Sequence, residues 1–280
     1  MGMCTATSLR LLNDAARRSG RRSTVQLPGR FARKAEAHDT STPLSEMFMA
    51  GEAVMKVYLT LLLLTCKEPH DLNKKVGDHY WASLFGYEEL DPQRPSTGPG
   101  TKRIKRAMAK LAATGPTSET RWIIRGPRVP RQGYPITVTH MGTEGPPYIT
   151  VPLEFWSNGW IAVISARGLF VYLILRLVLA GKPDSTGIHV SKDQRAQHFI
   201  GYDTWARGLK ELERLGLART QLAQSVEDDW HSELAFRKVV YLRTTFLKEN
   251  LSPKYPIDLK APAPTANPEN PEEFAAPAAT

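Results

Sequence analysis

Between Thr101 and Thr114 the sequence TKRIKRAMAKLAAT places five cations in one predicted helix, with no acid among them: Lys102, Arg103, Lys105, Arg106 and Lys110. Ile104, Met108 and Leu111 recur at i, i+4 and i+7 and mark the inward stripe, so the charge falls largely outside it. A helix of like charges repels itself and calls for an anion. Arg and Lys can donate to guanine O6 and N7 in a major groove, and neighbouring cations neutralise phosphates. Thr101 opens the helix and joins the same candidate set. Downstream, the β-prone runs Arg121–Arg125 and Tyr134–His140 flank a turn at Gly126–Gly133, which adds Arg121, Arg125, Arg128 and Arg131. If six of these groups neutralise phosphates, affinity should fall roughly 10³-fold between about 50 and 200 mM salt. A merely solvated basic helix, or one facing RNA or another acidic surface, is the competing reading.

Other chemistry is sparse. Seven histidines occur, yet none forms H-E-x-x-H, a Cys-rich zinc spacing or the His-hydrophobe-His pair of a nicking enzyme. Leu179–Pro183 is superficially like the end of a P-loop, but Arg176 replaces the upstream glycine and Pro183 the magnesium-binding Ser or Thr. Gly98–Lys102 likewise lacks the upstream glycine, and no G-x-S-x-G is present. The two cysteines, Cys4 and Cys66, make neither a disulfide framework nor a C-x-x-C pair. The expectation is no catalytic residue, no metal and no cofactor.

The chain around these residues is 280 long with a net charge of +9, spread unevenly. Residues 101–140 hold nine Lys/Arg against one acid, and residues 1–40 hold eight against three. Apolar runs at Val57–Thr65 and Leu169–Leu179 fall short of the ~20 residues that span a bilayer. No secretory h-region opens the sequence, so a cytoplasmic, nucleoid- or plasmid-associated protein with no membrane partner is expected. Residues 1–42, rich in Arg and Ser, read as a disordered basic arm with a short amphipathic piece near Ser8–Arg18, able to add phosphate or minor-groove contacts. The same composition also resembles a mitochondrial presequence. Residues 253–280 read as a Pro/Ala-rich tail.

The elements repeat. Val57-Tyr58-Leu59 matches Val171-Tyr172-Leu173 at an offset of 114, and Leu84-Phe85-Gly86-Tyr87 matches Phe199-Ile200-Gly201-Tyr202 at 115. Ile104, Met108, Leu111 and Gly115 match Trp205, Leu209, Leu212 and Gly216 at 101, the change falling across the Pro/Gly-rich stretch Glu88–Gly100. Ser191 and Gln194 form a predicted capping box that starts a short helix in the second copy. Each copy then reads as an apolar helix, a helix-turn-helix and a β-hairpin: residues 43–145 and residues 148–252.

This order of elements resembles the tandem winged-helix replication initiators of plasmids and, more loosely, winged-helix transcription regulators, over roughly residues 45–250. The resemblance implies an α+β fold, mainly helical with small β-hairpins. It also implies non-catalytic binding of double-stranded DNA, third helix in the major groove and hairpin on phosphates. Initiation at an origin, with replication machinery as partner, is the leading role. An operator-binding regulator that meets the transcription machinery, or a protein-protein adaptor, are the alternatives. One departure stands out: in those initiators the second copy gives the stronger base contacts, whereas charge here favours the first. The second copy's third helix offers Arg207, Lys210 and Arg214, offset by Asp203, Glu211 and Glu213, and its hairpin tip holds Glu227, Asp228, Asp229 and Glu233. That copy therefore reads as a weaker DNA contact or a homodimerisation surface. Trp156 and Trp160 ahead of it read as packing residues.

Overall fold

The computed structural model describes residues 4–36, 38–72, 76–88, 98–117, 119–127, 134–142, 147–225 and 235–243. Helix α1 (Ala6–Arg18) starts where the Thr5 hydroxyl accepts the Ser8 amide at 3.1 Å. Leu11, Leu12, Ala15 and Ala16 form its buried stripe. Strand β1 (Thr24–Pro28) follows, and Phe31 beyond it is buried against Tyr58 and Trp122. The amphipathic piece expected near Ser8–Arg18 is α1, and the rest of the arm, expected to be disordered, is folded into the core through β1 and Phe31. Its apolar residues are few but fall on one helical stripe and one strand face, which burial rewards.

The apolar helix expected to open the first copy is two helices. Thr42 and Ser45 form a capping box that opens α2 (Pro43–Ala50), and Gly51 at φ 117° breaks the path before α3 (Glu52–Leu64). After a bridge at Asp71 come α4 (Asp78–Leu84), α5 (Pro99–Ala113), β2 (Ile123–Arg125) and β3 (Ile136–Val138). The strands β2 and β3 pair antiparallel with Ile124 opposite Thr137, and Asp71 bridges the outer edge of β3 at Thr137.

Strand β4 (Tyr148–Pro152) pairs antiparallel with β1, setting Val25 opposite Val151 and Leu27 opposite Ile149. Short helices α6 (Glu154–Ser157) and α7 (Trp160–Val163) bury Trp156 and Trp160, as expected of packing residues. The second run then repeats the order of the first. Helix α8 (Ala166–Val178) is followed by a bridge at Ile188, then α9 (Lys192–Gln197), α10 (Tyr202–Arg214), β5 (Ala218–Ser225) and β6 (Ala235–Leu242). The capping box before α9 is present: Ser191 Oγ accepts the Gln194 amide at 3.1 Å, and Gln194 Oε1 accepts the Ser191 amide at 2.9 Å.

The fold is thus mixed α+β with small antiparallel pairs, and its two halves share one core. Trp156 Nε1 donates to Thr60 Oγ1 at 3.0 Å, and Phe48 of α2 meets Phe170 of α8 at 4.9 Å. Among the described residues no helix is long and apolar enough to cross a membrane. The Pro/Ala-rich tail lies outside the described residues.

Candidate nucleic-acid interface

Helix α5 is built by a buried stripe of Ile104, Ala107, Met108 and Leu111. On the opposite side Lys102, Lys105, Arg106 and Ala109 are exposed at i, i+3, i+4 and i+7, a single face. Among the described residues no acid pairs with those three cations. The helix starts against an anion: Glu88 Oε2 accepts both the Thr101 amide and the Thr101 hydroxyl at 2.9 Å. A carboxylate there complements the positive end of the helix dipole.

Not every predicted residue reaches that face. Thr101 is 2% exposed and held by Glu88, so it belongs to the helix start rather than to a surface. Arg103 is half-buried; it pairs with Glu52 Oε2 at 3.3 Å and lies over the Tyr87 ring at 4.2 Å. Lys110 donates to the Ala50 carbonyl at 2.6 Å, tying α5 to the end of α2. Spacing alone put these residues off the apolar stripe, and neighbours from α2, α3 and the Tyr87–Glu88 turn then claimed them.

Arg103 closes a network that the sequence did not announce. Lys56 in the second turn of α3 is fully buried; its Nζ donates to Glu52 Oε1 at 2.9 Å and to the Ala162 carbonyl at 2.8 Å. The Tyr87 hydroxyl donates to the same Glu52 oxygen at 2.9 Å. Burial pushes the Glu52 carboxyl up, but Lys56, Arg103 and the Tyr87 hydroxyl outweigh it and hold it below its ordinary value. Burial lowers Lys56 despite Glu52 beside it. A pair at i, i+4 in an otherwise apolar helix was the only available signal, and that spacing is equally common on surfaces.

The hairpin beside α5 anchors through Trp122, Ile123, Ile136 and Val138. Arg121 is exposed, and its carbonyl accepts the Thr139 hydroxyl at 2.5 Å. The Arg125 guanidinium lies over the Tyr134 ring at 3.9 Å, a cation–π contact at the hairpin's last paired position. Arg128 and Arg131 lie outside the described residues.

Helix α10 buries Trp205, Gly208, Leu209 and Leu212 and exposes Asp203, Arg207, Lys210 and Arg214. Asp203 pairs with Arg207 at 2.9 Å. Glu211 turns inward instead, accepting the Ser165 amide at 2.6 Å and the Ser165 hydroxyl at the start of α8. Glu213 accepts the Thr220 hydroxyl. The acidic tip residues Glu227, Asp228, Asp229 and Glu233 lie outside the described residues.

Away from both third helices, His140 stacks on His70 at 3.8 Å and hydrogen-bonds Thr65 Oγ1 at 2.9 Å. Burial, with His70 and Arg21 adding to it, pushes His140 down to about 4. Among the described residues no group of three or more His, Cys, Asp or Glu is placed to hold a metal. No family model, curated protein or solved structure matches this chain.

Proposed function

We propose that the protein binds double-stranded DNA without catalysis through two tandem winged-helix units, as a plasmid-type replication initiator. The observation that carries this reading is the exposed face of α5: Lys102, Lys105 and Arg106 side by side, free of acids among the described residues. In each half a helix, a bridged residue, two further helices and a hairpin follow one another in the winged-helix order. In that arrangement the third helix enters the major groove and the hairpin lies along the backbone. The α5 cations then meet base edges and flanking phosphates, with Arg121 and Arg125 beside them. Helix α10, whose outer face carries Arg207, Lys210 and Arg214 against Asp203, makes the lighter contact.

Footprinting on the DNA that flanks the coding sequence tests the role. Several spaced direct repeats protected together support an initiator. A single dyad bound by a stable dimer supports an operator-binding regulator instead. Binding that does not weaken between about 50 and 200 mM salt overturns the DNA reading altogether.

A further inference from the structure

Helix α1 is amphipathic with a cationic outer face. Arg10, Asn13 and Arg17 are exposed at i, i+3 and i+7, Arg18 is exposed beside them, and Asp14 between them is half-buried. The helix lies against α4: Ser8 Oγ donates to the Leu84 carbonyl at 2.6 Å, near the C-terminal end of α4. Toward the other end, burial raises the Tyr80 hydroxyl above its ordinary value while Arg18 and Arg10 pull it down and Asp14 pushes it up. Those charged groups of α1 therefore lie near Tyr80, whose neighbour His79 is exposed. Helix α4 in turn packs against α5. So α4 contacts both α1 and α5, and each of those two helices has exposed cations.

We infer that α1 is a second, sequence-blind phosphate contact of the first half, in which Arg10, Arg17 and Arg18 engage the DNA backbone across the minor groove next to the groove occupied by α5. The inference rests on the DNA-binding reading above and extends it to a segment outside the repeated units. Packed helices are spaced about 8–10 Å apart, so two such steps put α1 at most roughly 16–20 Å from α5. A major groove is about 12 Å wide and a minor groove about 6 Å, so a separation within that limit lets α1 reach past the first phosphate strand toward the second. Arginines held on a folded helix already have a fixed geometry there and lose little backbone entropy on binding. A purely structural account also exists for part of the pattern: Arg17 and Arg18 sit in the last turn of α1, where cations complement the helix dipole. It does not cover Arg10, in the second turn.

The two accounts separate experimentally. The full chain is titrated with a mixed-sequence DNA duplex at several salt concentrations, as wild type, as Arg10→Gln alone, and as the triple Arg10→Gln, Arg17→Gln, Arg18→Gln. Each phosphate contact removed should reduce the slope of log affinity against log salt by about 0.9. The expected result is a loss of about one contact for the single variant and two to three for the triple. Preference for the footprinted site over mixed sequence should stay unchanged. Unaltered slopes, with thermal unfolding of Arg10→Gln matching wild type, overturn the inference and leave DNA binding through α5 standing. A wild-type chain with no salt-dependent affinity removes the DNA reading and this inference with it. If the triple variant fails to fold, the single variant still decides, because its residue lies outside the last turn.

Discussion

Superposing α5 on α10 at their shared register sets Ile104, Met108 and Leu111 against Trp205, Leu209 and Leu212, all buried. The outer faces diverge. Lys102, Lys105 and Arg106 stand against Asp203, Ala206 and Arg207, while Ala109 and Ala113 stand against Lys210 and Arg214. Positive charge has moved from the first two turns of the helix to the last two. Packing fixes the inner stripe because a changed volume there costs stability; nothing in the fold constrains the outer face to the same degree. Lys110 and Glu211 share a position as well. The lysine reaches the carbonyl end of α2 and the glutamate reaches the amide start of α8, each matching the sign of the helix end it meets. A cation on a third helix is therefore not automatically a cation for DNA.

The interior offers the largest expected difference. Where the first half buries Lys56 with Glu52, the second has Phe170 and Ala166 at the corresponding positions. Glu52→Gln leaves Lys56 buried without its counter-charge and should destabilise the protein by about 3–5 kcal/mol, read by chemical denaturation. Adding Lys56→Met to it makes the first half resemble the second and should recover much of that loss. If Glu52→Gln alone is neutral, the network is not what fixes Arg103.

Next comes the surface. Changing Lys102, Lys105 and Arg106 to Ala removes three phosphate-range cations and should weaken binding roughly 10²–10³-fold at about 0.1 M salt. The matching change of Arg207, Lys210 and Arg214, where Asp203 already offsets one charge, should cost about tenfold. Measured by fluorescence anisotropy on one duplex, a reversed order would make α10 the principal reader. Arg103→Ala belongs to the other class: its guanidinium is committed to Glu52 and Tyr87, so its effect should be on unfolding more than on salt dependence.

The sequence made the local elements legible because their signals are local. The third helices, the capping box at Ser191 and the hairpin positions follow from periodicity and from caps a few residues apart. The amphipathic piece near Ser8–Arg18 is legible and matches α1, but the rest of the N-terminal segment is not, because its partners are distant in the chain. Strand β1 finds β4 more than a hundred residues on, and the His198 ring hydrogen-bonds the Ala32 carbonyl at 2.6 Å across a similar gap. Neither pairing leaves a trace in composition, and eight Lys/Arg in forty residues mask the buried Leu11, Leu12, Val25 and Leu27. The same non-locality hid the fate of Thr101, Arg103 and Lys110, which depends on side chains and carbonyls from other elements.

Acid should act on both halves, with a smaller effect. His140 in the first half is held down to about 4 by burial, together with His70 and Arg21, and burial also lowers His198 in the second. An unfolded histidine titrates near 6.5. Above that pH both states are neutral and the rings cost nothing. Below it the unfolded chain takes up protons that the folded chain refuses, so stability falls as pH drops from about 6.5 toward 4. For His140 the slope is at most about 1.4 kcal/mol per pH unit, the limit for one proton, and partial solvation of the ring narrows the window over which it acts. Denaturant midpoints measured at pH 7.5 and 5 should therefore separate in the wild type. His140→Gln should bring them closer by the share of the first half, with His198 left to account for the rest. An undiminished separation in that variant would assign the acid response to the second half and to the α9 contact with Ala32.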